Sequence, residues 1–341
     1  MNELPRGLTI LLGMGAAVLA GMGLWFTGWL VGPVFLALTI VIVVSPLLGW
    51  LERHKVPAWL AMVLTILAVY AVLVVLAVVL VISVARLTSL LPQYADRASE
   101  LVDRATELLA RFGVGADQLR SVAGSFDLGR VADVLGTVLS ALGSLTSNLV
   151  FLLVLMLFMT LEAKVVDRRM ARLAEDRPDI ATALTGFARG TRKYMVVTTV
   201  FGLVGGAVNG IFLAIIGIPL PALWGVLSFI TNYIPNIGFL LGLVPPALLA
   251  LLQGGWQLMV VVIVAYVVLN FIIESVIQPR FVGDAVGLSA TTTFVALLFW
   301  SWLIGPLGAI LAIPLTLLVK ALLIDTDPRA RWVDAFISSS T

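Results

Sequence analysis

The sequence predicts an all-α polytopic membrane protein with about eight transmembrane segments. Of its 341 residues, 61% are hydrophobic and only 12% are charged, whereas soluble domains carry about 45–50% and about 25%. Mean hydropathy is +1.11, and apolar runs long enough to cross roughly 30 Å of hydrocarbon recur along the chain. The chain has no cysteine and one histidine, His54. Disulfides, thiolate sites and multi-histidine metal sites are therefore excluded, and no cofactor is expected.

Five apolar runs account for the first membrane spans. Leu8–Phe26, Trp29–Leu51 and Ala58–Ala85 are the first three and make up an N-terminal unit, residues 1–85. An uncharged turn is expected around residues 27–29, between the first two. Val138–Leu161 and Val196–Ile218 are the fourth and fifth runs. Each is long enough to cross a bilayer as one helix.

Basic residues in the loops predict the orientation, because short cytoplasmic loops of membrane proteins are rich in Lys and Arg. Glu52–Lys55 holds two basic residues, and Glu162–Lys193 holds eight against five acids. Both segments are expected in the cytoplasm, which after two spans places the N-terminus there as well. The fourth span and this linker form a unit, residues 149–193. Its expected partners are membrane lipids with anionic headgroups, and nucleic acid is not one of them.

Residues 86–148 form a polar insertion that this orientation places outside the cytoplasm. Apolar residues recur in it at spacings of four and three, which is typical of a heptad seam on a helix. The seam consists of Leu87, Leu91, Tyr94, Ala98, Leu101, Ala105, Leu108 and Phe112. One interpretation is contact between subunits, which would make a homo-oligomer. The alternative is that the stripe packs on the chain's own helices or on the membrane surface.

The C-terminal unit, residues 194–324, contains eighty consecutive uncharged residues interrupted by proline and glycine. Two breaks are alike, Pro235-x-x-Gly238 and Gly305-x-x-Gly308, and they predict a pair of broken helical hairpins; chance is the alternative. Irregular backbone at membrane depth survives only where protein or a water-filled cavity surrounds it. In transporters, such breaks with polar residues are where substrate and ions bind. Residues 325–341 are a cytoplasmic tail.

One helix of this unit, Trp256–Gln278, carries polar residues four apart on one face. These residues are Tyr266, Asn270, Glu274 and Gln278. A carboxylate at this depth costs about 2.5–3.5 kcal/mol on insertion scales, so it marks a candidate for proton or cation coupling. Alternatively, Glu274 lies near the cytoplasmic end and pairs with Arg280. The loop that follows, with its Arg280–Asp284 pair, fits either a re-entrant or a cytoplasmic segment.

Three stretches resemble the autoinducer-2 exporter family, also called PerM-type permeases. They are PALWGVLSFITNYIPNIGFLLGLVPPALLALL (221–252), NFIIESVIQPRFVGDAVGLSATTTF (270–294) and GPLGAILAIPLTLLVKALL (305–323). The resemblance implies about eight segments, both termini in the cytoplasm of a bacterium, homo-oligomers and export of a small solute. Members have been linked to autoinducer-2 efflux and also to sodium(lithium)/proton antiport. One departure is Ala290, where the family has proline after GLS.

The residues and the resemblance together predict a secondary transporter and not an enzyme. It is expected to export a small polar, autoinducer-2-like solute across the bacterial plasma membrane, with a proton or cation as the coupling ion. The expected site residues are Asn232, Pro235, Asn236, Gly238, Asn270, Glu274 and Gln278, with Arg280 and Asp284 holding the adjacent loop. A sodium(lithium)/proton antiporter using the same acid is one alternative. Another is a membrane scaffold that acts through the insertion, for which replacing Glu274 would be silent and disrupting Leu101 would abolish function.

Overall fold

The computed structural model describes residues 6–111, 145–278, 287–327 and 330–338, with isolated helical positions at 133, 136, 137 and 140. Over these residues the chain is helical, apart from turns and one β-bridge between Leu288 and Ser338. The helices are α1 (Arg6–Arg53), α2 (Ala58–Leu90), α3 (Ala95–Arg111), α4 (Leu145–Asp176), α5 (Pro178–Ile215), α6 (Pro221–Thr231), α7 (Gly238–Asn270), α8 (Ala290–Ile304), α9 (Pro306–Ile310), α10 (Ala312–Lys320) and α11 (Arg331–Ile337).

The polytopic all-α prediction is confirmed. Among the described residues, four helical stretches are long and apolar enough to cross a membrane: Leu11–Arg53, Ala58–Arg104, Pro178–Ile215 and Gly238–Ile277. A fifth qualifies as a bent pair, because α4 turns by 51° between Ala163 and Val165. The shorter apolar helices α6 and α8 are the first arms of the two broken hairpins.

The turn predicted around residues 27–29 is wrong, because α1 runs through it without a break. At about 1.5 Å per residue its 48 residues extend for roughly 72 Å. The glycines there serve packing instead of turning. A Cβ at Gly28 would lie 3.2 Å from the Leu303 carbonyl oxygen, and one at Gly32 would lie 3.0 Å from Ile304 Cγ2. The cytoplasmic position of the N-terminus was inferred from two spans before Glu52–Lys55, and it stays a prediction.

A partly buried arginine supports the proline near the end of α1. Pro46 has no N–H, so the carbonyl of Ile42 loses its usual helical donor. Arg192 of α5 supplies a donor in place of the missing N–H. Its Nε donates to the Ile42 carbonyl at 2.9 Å, and its Nη2 donates to Ser45 Oγ at 2.6 Å. Arg192 belongs to the basic segment Glu162–Lys193 that is expected in the cytoplasm. Its hydrogen bonds to Ile42 and Ser45 show that it also joins α5 to α1.

The polar insertion begins as a continuation of α2. That helix extends to Leu90, a 3₁₀ turn follows at Leu91–Tyr94, and α3 then begins. Leu87 and Tyr94 pack against the chain's own core cluster around Trp224, as the alternative interpretation of the seam expected. Leu91 and Leu101 are half-buried. The side chain of Leu108 and all of Phe112 lie outside the described part of the chain. Subunit contact through the seam therefore stays a prediction.

Helix α5 contributes to both large clusters of the buried core. On one side, Phe187 and Met195 pack with Phe35 of α1 and with the hairpin that begins at α8. On the other side, Leu213 packs with α2 and with the α6–α7 hairpin, through Trp224 and its neighbours. The two hairpins therefore both pack against one central helix.

Candidate functional site

Helices α5 and α6 cross with their backbones in contact, because glycines lie on both sides. Gly202, Gly206 and Gly210 recur every four residues on α5 and so share one face. A Cβ at Gly206 would lie 2.5 Å from the Gly225 carbonyl oxygen, and one at Gly225 would lie 2.7 Å from that of Gly206. Small residues at such spacing allow close helix approach in membranes. The crossing brings Asn232, at the C-terminal end of α6, beside Gly202 of α5.

The first predicted break separates α6 from α7 and folds the chain back sharply. Asn236 has a positive φ of 63°, and Ile237 N–H donates to the Pro235 carbonyl at 2.7 Å. A Cβ at Gly238 would overlap the Thr231 carbonyl oxygen, so only glycine permits this approach. The turn is anchored to α5, because the Thr199 and Tyr233 hydroxyls are hydrogen-bonded at 2.7 Å.

The second predicted break has the same construction. Gly305 has a positive φ of 82°, and a Cβ at Gly308 would overlap the Trp300 carbonyl oxygen. The arms are tied by the Trp300 indole, whose Nε1 donates to Thr316 Oγ1 at 3.0 Å. In both hairpins a glycine of the second arm abuts a carbonyl of the first arm. The pair of broken hairpins is therefore present in the fold.

The polar helix predicted from Trp256 to Gln278 is interrupted at both ends. Gly255, with φ 75°, separates it from the preceding part of α7. Beyond Asn270 the helix widens into a π-helical segment, Phe271–Ile277, whose end is marked by a bond from Gln278 N–H to the Ile273 carbonyl. Such π-helical turns are frequent at functional sites. Glu274 lies within this segment.

Two adjoining clefts open at the crossing of α5, α6 and α7. Their volumes are about 250 and 220 Å³, counting the space open at their mouths. Five residues line both, namely Asn209, Ser228, Asn232, Asn270 and Glu274. The first cleft is floored by Gly202, Gly205 and Gly206, whereas Thr231, Gly238, Gly242 and Tyr266 contribute to the second.

The amide groups of the cleft present oxygen atoms to its interior. Asn232 Nδ2 donates to the Thr198 carbonyl at 3.0 Å, and Asn270 Nδ2 donates to the Tyr266 carbonyl at 2.8 Å. These bonds leave both amide oxygens for a ligand. The third amide, Asn209, is only 2% exposed, and its Oδ1 has no partner among the described residues. A buried acceptor without a protein partner is costly, so this oxygen is positioned to accept a hydrogen bond from whatever fills the clefts, water or solute.

Two hydroxyls lie beside these amides. Ser228 and Tyr266 lie next to each other across the second cleft, yet neither hydroxyl makes a hydrogen bond of standard geometry there. Glu274 is the one formally charged residue among the described residues that line the clefts. Glu274 is nevertheless an exposed residue. The clefts therefore combine neutral acceptors with a single carboxylate.

The structure brings together four of the predicted site residues, Asn232, Gly238, Asn270 and Glu274. Pro235 and Asn236 shape the turn and line neither of the two clefts, and Gln278 lies beyond them at the end of the π-helical segment. Arg280 and Asp284 lie outside the described residues.

Sequence reasoning missed Asn209 and Ser228, which stand alone among apolar neighbours. The signal that could have found Asn209 is the glycine spacing around it. Gly202, Gly206 and Gly210 predict a close helix crossing, and a polar side chain beside such a crossing is buried.

Comparison with known proteins identifies the class of protein that this fold and site belong to. The model of the AI-2E family transporter family matches residues 14–327. The AI-2 transport protein TqsA of Escherichia coli strain K12 is 32% identical over 327 residues, which cover 94% of this chain and 93% of TqsA. A Haemophilus influenzae relative, provisionally named a transport protein, is 29% identical with 94% of both chains covered. YhhT of E. coli K12, also named provisionally, is 28% identical over 92% of this chain and 90% of its own length.

The chain belongs to the AI-2E family of transporters. The resemblance stated from the three motifs is confirmed, and it extends over nearly the whole chain. The protein is a multi-pass membrane transporter of the bacterial inner membrane, with a small-molecule solute and lipids as its partners.

Proposed function

We propose that this transporter exports a small polar solute of the autoinducer-2 type through the clefts at the α6–α7 break, and that Glu274 couples the export to a proton or cation. The observation that carries the proposal is the unpartnered Oδ1 of Asn209, buried where the two clefts meet. A hydroxylated solute would donate to this oxygen and to those of Asn232 and Asn270. The name of the relative TqsA, an AI-2 transport protein, supports this solute class.

The broken hairpin supplies the means of opening the clefts. Asn232 and Gly238 line the second cleft from the two sides of the break, whereas Asn209 belongs to the continuous helix α5. A shift of the hairpin against α5 would separate these groups and change which end of the cleft is open. Alternating access in many transporters follows this plan, with binding at discontinuous helices near the bilayer midplane.

Glu274 is the coupling residue in this proposal because it is the acid that lines both clefts. When the site changes its access from one side of the membrane to the other, an unpaired charged carboxylate at membrane depth is costly. A proton or cation must therefore accompany the carboxylate of Glu274 during this change. The neutral amides around it offer no positive partner. Export would then use the inward proton or cation gradient, with solute and coupling ion bound in turn or together.

The experiment is flux in proteoliposomes with an imposed proton gradient, with autoinducer-2 and sodium tested in parallel. Glu274→Gln is compared with Glu175→Gln, an exposed acid on the basic linker, away from the clefts. We expect gradient-dependent movement of autoinducer-2 that survives the Glu175 change and is lost with Glu274→Gln. Flux that ignores the Glu274 change would remove this acid from the mechanism.

A sodium(lithium)/proton antiporter is the second candidate, and the acceptor-rich cleft favours it. Amide and hydroxyl oxygens beside one carboxylate are the hard ligands that small cations prefer. In the same experiment it predicts sodium movement with no movement of autoinducer-2. Absence of both fluxes from folded protein would favour the scaffold hypothesis, for which disruption of the seam at Leu101 is decisive.

A further inference from the structure

The last helix, α11, presents two large aromatic side chains to its surroundings. Trp332 is 68% exposed and Phe336 is 76% exposed. They are four residues apart and so lie on one helical face, with ring centroids 6.1 Å apart in an edge-to-face arrangement. Two neighbouring exposed aromatics are unusual on a surface that faces only water.

The opposite side of α11 is tied to the membrane core by polar contacts. Asp334 accepts from Lys320 Nζ at 3.0 Å and from the Ser338 hydroxyl at 2.7 Å. The Ser338 hydroxyl and the Lys320 ammonium hold the pKa of the Asp334 carboxyl below its usual range, so it is ionised at neutral pH. Lys320 also contacts Asp325 at 2.7 Å. These contacts set which face of α11 points away from the protein.

A second tie joins the end of α11 to the start of α8. Ser289 N–H donates to the Ile337 carbonyl at 2.8 Å, and Leu288 forms a β-bridge with Ser338. Ser289 is also the N-cap of α8, where its hydroxyl accepts from Thr292 N–H. The segment that opens the second hairpin is therefore held in place by α11.

The position of Lys320 shows where α11 lies relative to the bilayer. Lys320 and Asp325 are the first charges after the uncharged second hairpin, so they mark the membrane boundary. Between them, Leu322 is 49% exposed and Leu323 is 66% exposed, which continues the lipid-facing surface up to the charges. Because Asp334 contacts Lys320, α11 lies at this boundary.

We propose that α11 is an interfacial helix whose Trp332 and Phe336 enter the headgroup region of the phospholipid membrane, and that it fastens residues 287–289 to the membrane surface. Tryptophan and phenylalanine favour this region, and the lipid-facing surface at Leu322 and Leu323 leads directly to it. The helix acts as a clasp: polar bonds hold its inner face to the second hairpin, and lipid holds its outer face. The inference is independent of the transported solute.

Nitroxide labelling tests the proposal cleanly because the chain has no native cysteine. Single labels are placed at Trp332→Cys and Phe336→Cys in proteoliposomes of phosphatidylethanolamine and phosphatidylglycerol. Leu323→Cys serves as the lipid-facing reference and Glu175→Cys as the water-facing one. Collisions with oxygen report lipid exposure, and collisions with a water-soluble nickel complex report aqueous exposure. All four positions are exposed in the structure, so the labels do not disturb packing.

We expect labels at 332 and 336 to match the oxygen-to-nickel ratio of 323. A ratio like that of 175 would overturn the proposal, because the helix would then stand in water. Shielding from both reagents would also overturn it, because protein would cover the aromatics instead of lipid. Adding Asp334→Asn should shift the label at 336 towards the aqueous ratio; no shift would overturn the clasp formed with Lys320.

Discussion

The crossing of α5 and α6 predicts a sharp difference between two glycine substitutions on the same helix. At Gly206, an added Cβ would lie 2.5 Å from the Gly225 carbonyl oxygen, about 0.9 Å short of ordinary contact at 3.4 Å. At Gly186, nothing lies within 4 Å of the added atom. Replacement by alanine therefore forces the helices apart at the first position and leaves the second unchanged.

The magnitude follows from two opposing terms. Alanine raises helix propensity by about 1 kcal/mol over glycine at either position, so this term cancels when the two variants are compared. Overpacking costs typically about 1–3 kcal/mol and applies only at Gly206, where the neighbouring atom is a backbone carbonyl oxygen that cannot rotate away. Gly206→Ala should accordingly be less stable than Gly186→Ala by about 1–3 kcal/mol.

Thermal unfolding of the purified protein in detergent, followed by intrinsic tryptophan fluorescence, measures the difference. Gly206→Ala should unfold at a lower temperature than wild type, and Gly186→Ala at the same or a higher one. If both variants unfolded together, the close crossing would not exist in solution, and the burial of Asn209 beside it would lose its basis.

Two further changes test the polar contacts around α5. Arg192→Met removes the Nε donor to the Ile42 carbonyl and leaves it only the Ser45 hydroxyl, 3.1 Å away. It should lower the free energy of unfolding by about 1.5–3 kcal/mol, the typical contribution of a hydrogen bond that involves a charged group; adding Pro46→Ala should restore part of this loss, because residue 46 then supplies the missing N–H. Thermal unfolding of the single and double variants measures both effects. Asn209→Leu should raise the unfolding temperature by removing a buried amide whose oxygen has no partner and at the same time lower solute flux in proteoliposomes, as is common when residues of a functional site are replaced by stabilising ones.

These two predictions fail in different ways. If Pro46→Ala gives no rescue, Arg192 acts through something other than the proline-freed carbonyl. A variant Asn209→Leu that transports normally would show that this amide is structural, whatever its effect on stability.

Much of the second half of the fold could be predicted from the sequence, because proline and glycine carry local backbone information. The residues at the breaks themselves account for the positive φ angles of Asn236 and Gly305 and for the close contacts at Gly238 and Gly308. The recurrence of Tyr266, Asn270 and Glu274 at helical spacing likewise places them along one cleft.

The remaining features depend on which helices meet, and local patterns do not contain that information. Gly28 could serve a turn or a close contact, and only the neighbouring carbonyl of Leu303 decides for contact. Asn209 acquires its meaning from the crossing at Gly206 and Gly225. Arg192 lies in a basic segment whose composition predicts a cytoplasmic linker, yet Pro46, far away in sequence, frees the partly buried Ile42 carbonyl that Arg192 binds.

The most direct test of the central claim is whether solute occupies the clefts. Ser228→Cys introduces the chain's single thiol at a position that lines both clefts, with Ser89→Cys on the exposed surface of α2 as the control. Both are treated with a membrane-impermeant thiosulfonate in proteoliposomes during transport. Modification at 228 should abolish flux and be slowed by transported solute, whereas modification at 89 should do neither. A thiol at 228 that stays unreactive throughout transport, or reacts without effect on flux, would contradict the assignment of the clefts as the transport site.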